Sequence, residues 1–231
     1  MEYIIVIGIC IFTIIMLAII LNLNFKTIKQ VKTIGFDKEL NNITNKLPEN
    51  KIICEEILKK LKNENVKIKE EPGNQASLYI IMTNSIIIAN IKNTFTRIQT
   101  IAHECIHSIQ DKRILWFNFI FSNIYMIYFF VITILAIFNK TSNTPIYLVG
   151  LIIAGIVFYF IRSYLEIDAM TKAYYEAEKY LISKQEITQE ERKLICEKYE
   201  YLNKIGIKAA MFSVFVSILV KIIIFSIANL I

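Results

Sequence analysis

The sequence predicts an α+β integral membrane protein, mainly helical, in which four transmembrane helices carry a small cytoplasmic domain. Three observations predict it. The apolar residues, 55% of the chain, gather in four blocks, each long enough for the roughly 17 to 25 helical residues that cross a bilayer. Between the first two blocks, a helical period gives way to short β-branched runs and then returns. The chain's 2 histidines, His103 and His107, both fall in one short stretch, AHECIHSIQ.

The elements follow in order. The first block, residues 3–23, is expected to be an uncleaved anchor. Glu2 stands where a secretory leader would be basic, the apolar run is too long, and NLNFKTIKQ offers no small-residue cleavage site. FKTIKQVKTIGFDKELNNITN is polar and basic, a juxtamembrane linker or a short interfacial helix. Pro48 then opens a helical pattern carried by Ile52, Ile53, Ile57, Leu58 and Leu61, which Asn63 and Asn65 close. VKIKEE, SLYIIMT and SIIIANI, separated by EPGNQA and by Thr83-Asn84-Ser85, predict a three-stranded sheet. From about residue 94 to 111 the helical period returns, with Ile98, Ile101, Ala102, Cys105 and Ile109 on an apolar face and His103, His107 and Gln110 toward the other side. The second block covers 115–138 and the third 145–161, the latter with Pro145 in a first-turn position. No breaker follows, so the third helix should run past Glu166 toward Ser183. T-Q-E-E at 188–191 is a capping box for a helix that leads into the last block, from about residue 207. The expected segments are therefore 1–24 (anchor), 25–113 (motif domain), 114–165 (membrane hairpin), 166–206 (helical segment) and 207–231 (last span).

Charge sets the expected orientation. Of 26 Lys and Arg residues, fifteen lie in 25–113 and nine in 162–208. Cytoplasmic loops carry such an excess, so both polar segments should face the cytoplasm, with both termini and the 139–144 loop outside the cell membrane. The net charge of +6 predicts contact with anionic lipid headgroups. No basic stripe is interleaved with aromatics, which argues against a nucleic-acid partner. The 4 cysteines (Cys10, Cys54, Cys105 and Cys196) form no C-x-x-C and sit in a span or in reducing segments, so they are expected as buried hydrophobes rather than disulfides.

H-E-x-x-H carries the chemistry. Helical residues four apart have Cβ atoms about 5–6 Å from each other, and two imidazoles so placed can bind one Zn²⁺ at about 2.0–2.1 Å. Glu104, turned about 100° from His103, reaches a water beside the ion and can act as general base. A catalytic zinc keeps three protein ligands; with no third histidine, a carboxylate or a cysteine must serve. Cys105 points off the histidine face. Glu166 in YLEIDAMTKAYYEAEKYL is the leading candidate, because the second and third blocks carry the chain out and back. Ala169, Ala173 and Ala177 share its face and would let its helix pack close to the motif helix. Asp168, Glu176 and Glu178 are its rivals.

AHECIHSIQ is close to the AHE-x-x-H-x-IQ of the YugP-like membrane-bound neutral zinc metallopeptidases, and LEIDAMTKA resembles their E-F-[DN]-A element. The order of anchor, motif domain, two spans, glutamate element, amphipathic segment and last span is similar too. The resemblance implies a zincin-like domain with a gluzincin-type site: His103, His107 and Glu166 as ligands of one zinc per chain, Glu104 as general base, and a peptide or membrane-associated protein as substrate. The sequence departs from the pattern in TNSIIIANIKNTF, which lacks the family's polar and glycine-bearing elements. Soluble gluzincins often place an Asp four positions after the ligand Glu, where this chain has Met170. Asp168, about 200° from Glu166 on a helix, is assigned no supporting role, and Tyr164, Tyr174 and Tyr175 read as interfacial anchors. Three other readings remain. A site-2-type intramembrane protease needs the motif inside a span and a D-G partner, neither of which the sequence has. A non-catalytic zinc-binding membrane scaffold would bind the ion without hydrolysis. A transporter would carry ionisable groups in several spans, where the sequence places Lys221 alone.

Overall fold

The computed structural model describes residues 2–35, 37–71, 73–74, 76–138 and 143–231. Its elements in chain order are α1 (Glu2–Ile20), α2 (Phe25–Gly35), α3 (Lys38–Thr44), α4 (Asn50–Lys60), β1 (Lys67–Glu70), β2 (Leu78–Ile80), β3 (Ser85–Ile88), α5 (Arg97–Ile109), α6 (Lys112–Ile137), α7 (Thr144–Ile182) and α8 (Gln189–Ala228). Of the loop expected outside the membrane, residues 139–142 lie outside the described residues, as do Pro72 and Gln75 of the turn EPGNQA. Among the described residues, α1, α6, α7 and α8 are long and apolar enough to cross a membrane. Protein buries only 6 to 28% of their most apolar windows. The rest presents hydrocarbon outward, which water would penalise by roughly 25 cal/mol per Å² and a bilayer would not.

The chain forms two compact units: Met1–Asn24, Arg113–Tyr164 and Lys208–Ile231 in one, Phe25–Lys112 and Leu165–Ile207 in the other. The first gathers the four apolar helices around Cys10, Tyr125, Phe129, Leu151, Ile222 and Phe225. Close approach is set at Gly155, where a Cβ would sit 2.6 Å from Ile218 Cγ2 and 3.0 Å from the Tyr125 hydroxyl. Helices in lipid associate through such small residues. The Lys221 ammonium lies 5.3 Å from the centroid of the Tyr125 ring and donates to the Ser217 carbonyl, two contacts that offset its place in an apolar helix.

The second unit holds the sheet, in the order β1-β3-β2. β1 runs parallel to β3, with Lys67 opposite Ser85 and Glu70 opposite Ile88. β2 runs antiparallel, with Leu78 opposite Ile87 and Ile80 opposite Ser85. The continuous apolar run SIII is buried and takes the centre, whereas KIKE is mostly exposed and takes an edge. Asn84 closes the β2–β3 turn with φ 46°, a left-handed conformation that Asn adopts more readily than most residues.

Local chemistry ends and starts the helices. The basic stretch after α1 is two helices rather than a linker, because Asp37 interrupts it and caps α3 by accepting from the Glu39 and Leu40 amides. Lys62 (φ 55°) and the bond from the Asn63 amide to the Leu58 carbonyl terminate α4 in a Schellman turn. Thr188 Oγ1 accepts from the Glu191 amide at 3.1 Å, and the Glu191 carboxylate accepts from the Thr188 amide at 2.9 Å. That is the capping box expected from T-Q-E-E. α7 runs unbroken past Glu166, also as expected.

Arg97, 1% exposed, fixes the start of α5. Its guanidinium donates to the carbonyls of Thr44, Leu47 and Pro48 and to Asn50 Oδ1, at 2.6 to 3.0 Å. Tyr199 anchors α8 to the same region by donating to the Phe95 carbonyl and stacking on the Phe95 ring. The core joins Ile53, Ile57, Ile86, Ile98 and Ile101 with Ala169, Ala173 and Ala177 of α7. One expectation is corrected. Ile109, read as part of the apolar face of α5, is 42% exposed, and Ile106 is buried at 2% in its place. The helix ends at Ile109, so that side chain lies past the last core layer.

Candidate metal centre

The site lies wholly in the second unit and begins with a helix that stops. α5 ends at Ile109, and Gln110 leaves it in an extended conformation with ψ 160°; α6 starts afresh at Lys112. On the last two turns of α5, His103 and His107 stand edge to face, ring centroids 4.5 Å apart. Their Nε2 atoms are 3.0 Å apart. From α7, Glu166 brings Oε2 to 3.5 Å from His103 Nε2 and Oε1 to 3.8 Å from His107 Nε2. Among the described residues these three form a group whose ligand atoms all lie within 4.8 Å of one another.

The donor set suits a zinc ion. Ligands about 2.0–2.1 Å from a tetrahedral ion stand roughly 3.3 Å from each other, and the observed separations of 3.0, 3.5 and 3.8 Å bracket that value. Two imidazoles and one carboxylate are also the donors a divalent, borderline-soft cation prefers. The side chains of His103, His107 and Glu166 are 21%, 11% and 12% exposed. The site is thus a recess most open at His103. Glu104, directly after His103 on α5, is buried at 6% exposure.

Two of the three rival carboxylates, and the cysteine, are engaged in other contacts. Glu176 pairs with Lys179 at 2.7 Å, and Asp168 with Lys172 at 2.6 Å. Cys105 points into the core, its Sγ 3.7 Å from that of Cys54. The bond with Cys54, together with burial, pushes its thiol well above the usual range. A thiol so held stays protonated, and the thiolate is the form that binds metal.

Two residues at this site escaped sequence reasoning. Gln110 Oε1 lies 2.8 Å from His107 Nδ1, and Gln110 Nε2 donates to the Leu165 carbonyl at 2.8 Å and to Asp168 Oδ2 at 3.0 Å. Asp168, assigned no supporting role from its angle on the helix, therefore does stand behind one of the candidate ligand histidines, one residue removed. Partial burial raises the Asp168 carboxyl, but the bonds from Lys172 and Gln110 outweigh it and hold the group below its ordinary pKa. The IQ that follows the second histidine was the available signal. It names the glutamine without revealing that the helix ends beneath it.

Comparison with protein-family models, curated proteins and solved structures finds no match to the chain.

Proposed function

We propose that the chain is a membrane-anchored zinc metallopeptidase with a zincin-like domain, hydrolysing peptide bonds of peptides or membrane-associated proteins at the cytoplasmic face. One observation carries the reading: two imidazoles of α5 and a carboxylate of α7 converge at zinc-ligand separations, with Glu104 next to His103 in the chain. Two others support it. α5 packs against β2 and β3, as a motif helix on a sheet should. The Lys and Arg residues gather in the segments that build this unit, which supports a cytoplasmic location.

His103 and His107 would hold the ion through Nε2, and Glu166 through a carboxylate oxygen. When bound, zinc supplies Lewis acidity, polarising the scissile carbonyl and bringing the pKa of a water toward roughly 7. The Glu104 carboxylate takes a proton from that water as its oxygen bonds to the carbonyl carbon. It delivers the proton to the amide nitrogen as the C–N bond breaks.

The test is Glu104→Gln. General-base catalysis contributes about 10²–10⁴-fold, so cleavage of a peptide library should fall at least a hundredfold while the protein retains its zinc. Cleavage that survives the change overturns the mechanism. Wild-type protein that binds zinc and cleaves nothing overturns the peptidase and favours a metal-binding scaffold.

A further inference from the structure

We infer that Gln110 is a positioning residue that holds His107 in its Nδ1–H tautomer and so turns the Nε2 lone pair toward the ion. This role rests on the metal-site reading above. The assignment follows from the polarity of each partner. The Leu165 carbonyl can only accept a hydrogen bond. The end of the Gln110 amide that lies 2.8 Å from it must therefore be its NH₂, which also lies 3.0 Å from Asp168 Oδ2. Its oxygen is then the end that faces His107 Nδ1 at 2.8 Å. An oxygen there can only accept, so Nδ1 carries the hydrogen. An imidazole that binds a metal is neutral and holds one N–H, so Nε2, on the side of Glu166 and His103, would be the lone pair offered to the ion.

The choice of an amide has a consequence for charge. Metal-bound histidines commonly give their second N–H to a carboxylate, which raises the ligand's basicity. Here the amide orients the ring without adding a negative charge next to it. The carboxylate is set one hydrogen bond further out, and Lys172 balances it. Held by two neutral imidazoles and one glutamate, a divalent ion would keep a net positive charge, and with it a stronger pull on a carbonyl oxygen.

A chain with 2 histidines makes this measurable. The full-length protein is labelled with ¹⁵N-histidine, stripped of metal with a chelator, and studied by long-range ¹H–¹⁵N spectroscopy, which reports the nitrogen that bears each ring hydrogen. Zinc affinity is measured on the same samples by chelator competition. Wild type should show His107 as the Nδ1–H tautomer. Gln110→Met should lose that preference and raise the zinc Kd roughly 10- to 100-fold, as loss of such outer partners does. Because Gln110 is buried, Gln110→Met can also loosen the fold. The unfolding midpoint of metal-free protein, followed on the same samples, separates the two effects: a positioning role loses the Nδ1–H preference in protein that is still folded, whereas a purely structural role lowers the midpoint and leaves the tautomer of the folded protein unchanged. Wild type that binds zinc with His107 as the Nε2–H tautomer overturns this role alone, as does Gln110→Met with tautomer and Kd unchanged. Wild type that binds no zinc overturns the metal-site reading and this role with it.

Discussion

Replacing Glu166 with alanine tests the site at its longest reach in sequence. The change removes the donor that α7 contributes and leaves two imidazoles 3.0 Å apart on one helix. Structural zinc sites with four ligands bind with apparent free energies of about 10–16 kcal/mol, or about 2.5–4 kcal/mol per ligand. At about 1.4 kcal/mol per decade, the zinc Kd should rise roughly 100- to 1,000-fold. The fold should survive. Glu166 is followed on its helix by the buried Ala169, Ala173 and Ala177, and alanine is the best helix former. Glu166→Gln keeps an uncharged oxygen at the same reach and should lose less. Competition with a chromophoric chelator in detergent gives the Kd, elemental analysis gives zinc per chain, and the unfolding midpoint of metal-free protein controls for damage. Near-stoichiometric zinc in Glu166→Ala, with a Kd within about threefold of wild type, would show that the carboxylate is a bystander and the three-donor reasoning wrong.

Other outcomes follow from groups that hold this unit together. Arg97→Met strips a charged donor from four acceptors and should cost about 3–5 kcal/mol in denaturant unfolding, the range for breaking a buried charged network. A loss under about 1 kcal/mol would mean water replaces the guanidinium. Thr188→Ala removes half of the capping box at the start of α8 and should cost about 1 kcal/mol, read as faster amide exchange at Glu191; unchanged exchange counts against the cap. Glu56, 2.6 Å from Lys184, is raised by burial, but its bond to Lys184 and the charge of Lys60 outweigh this and lower its pKa. A carboxyl lowered on folding stabilises fully above its unfolded pKa, near 4.3, and loses that contribution as pH falls through the folded value. Glu56→Gln should therefore flatten the acid side of the stability profile below about pH 5, and parallel profiles would exclude the pair.

What was legible in the sequence is what neighbouring residues decide. The four apolar helices, the unbroken run of α7 and the T-Q-E-E cap depend on period, length and side chains within one turn, and the structure has all of them. The sheet was legible as three strands and no further. Its order places the last strand between the first two, a choice made by which strand has most apolar surface to bury once the helices cover it. The apolar face of α5 was read one residue too far, to Ile109, because periodicity continues on paper beyond the point where a helix stops.

That same stop explains what was missed at the site. On an ideal helix Asp168 stands about 200° from Glu166, and that angle argued against its supporting a ligand. The angle is sound, yet the inference from it assumed direct contact with a histidine. Contact runs instead through Gln110, whose amide touches α5 at one end and α7 at the other. It does so from a residue with ψ 160°, outside the helix it follows. The spacing of His103 and His107 states which atoms can share an ion. Which nitrogen the second ring would turn toward an ion depends on where the chain leaves α5 and on the α7 carbonyl that meets the far end of the Gln110 amide. Neither follows from the motif's own residues, so the closeness of the two imidazoles was readable from sequence and the contacts behind the second ring were not.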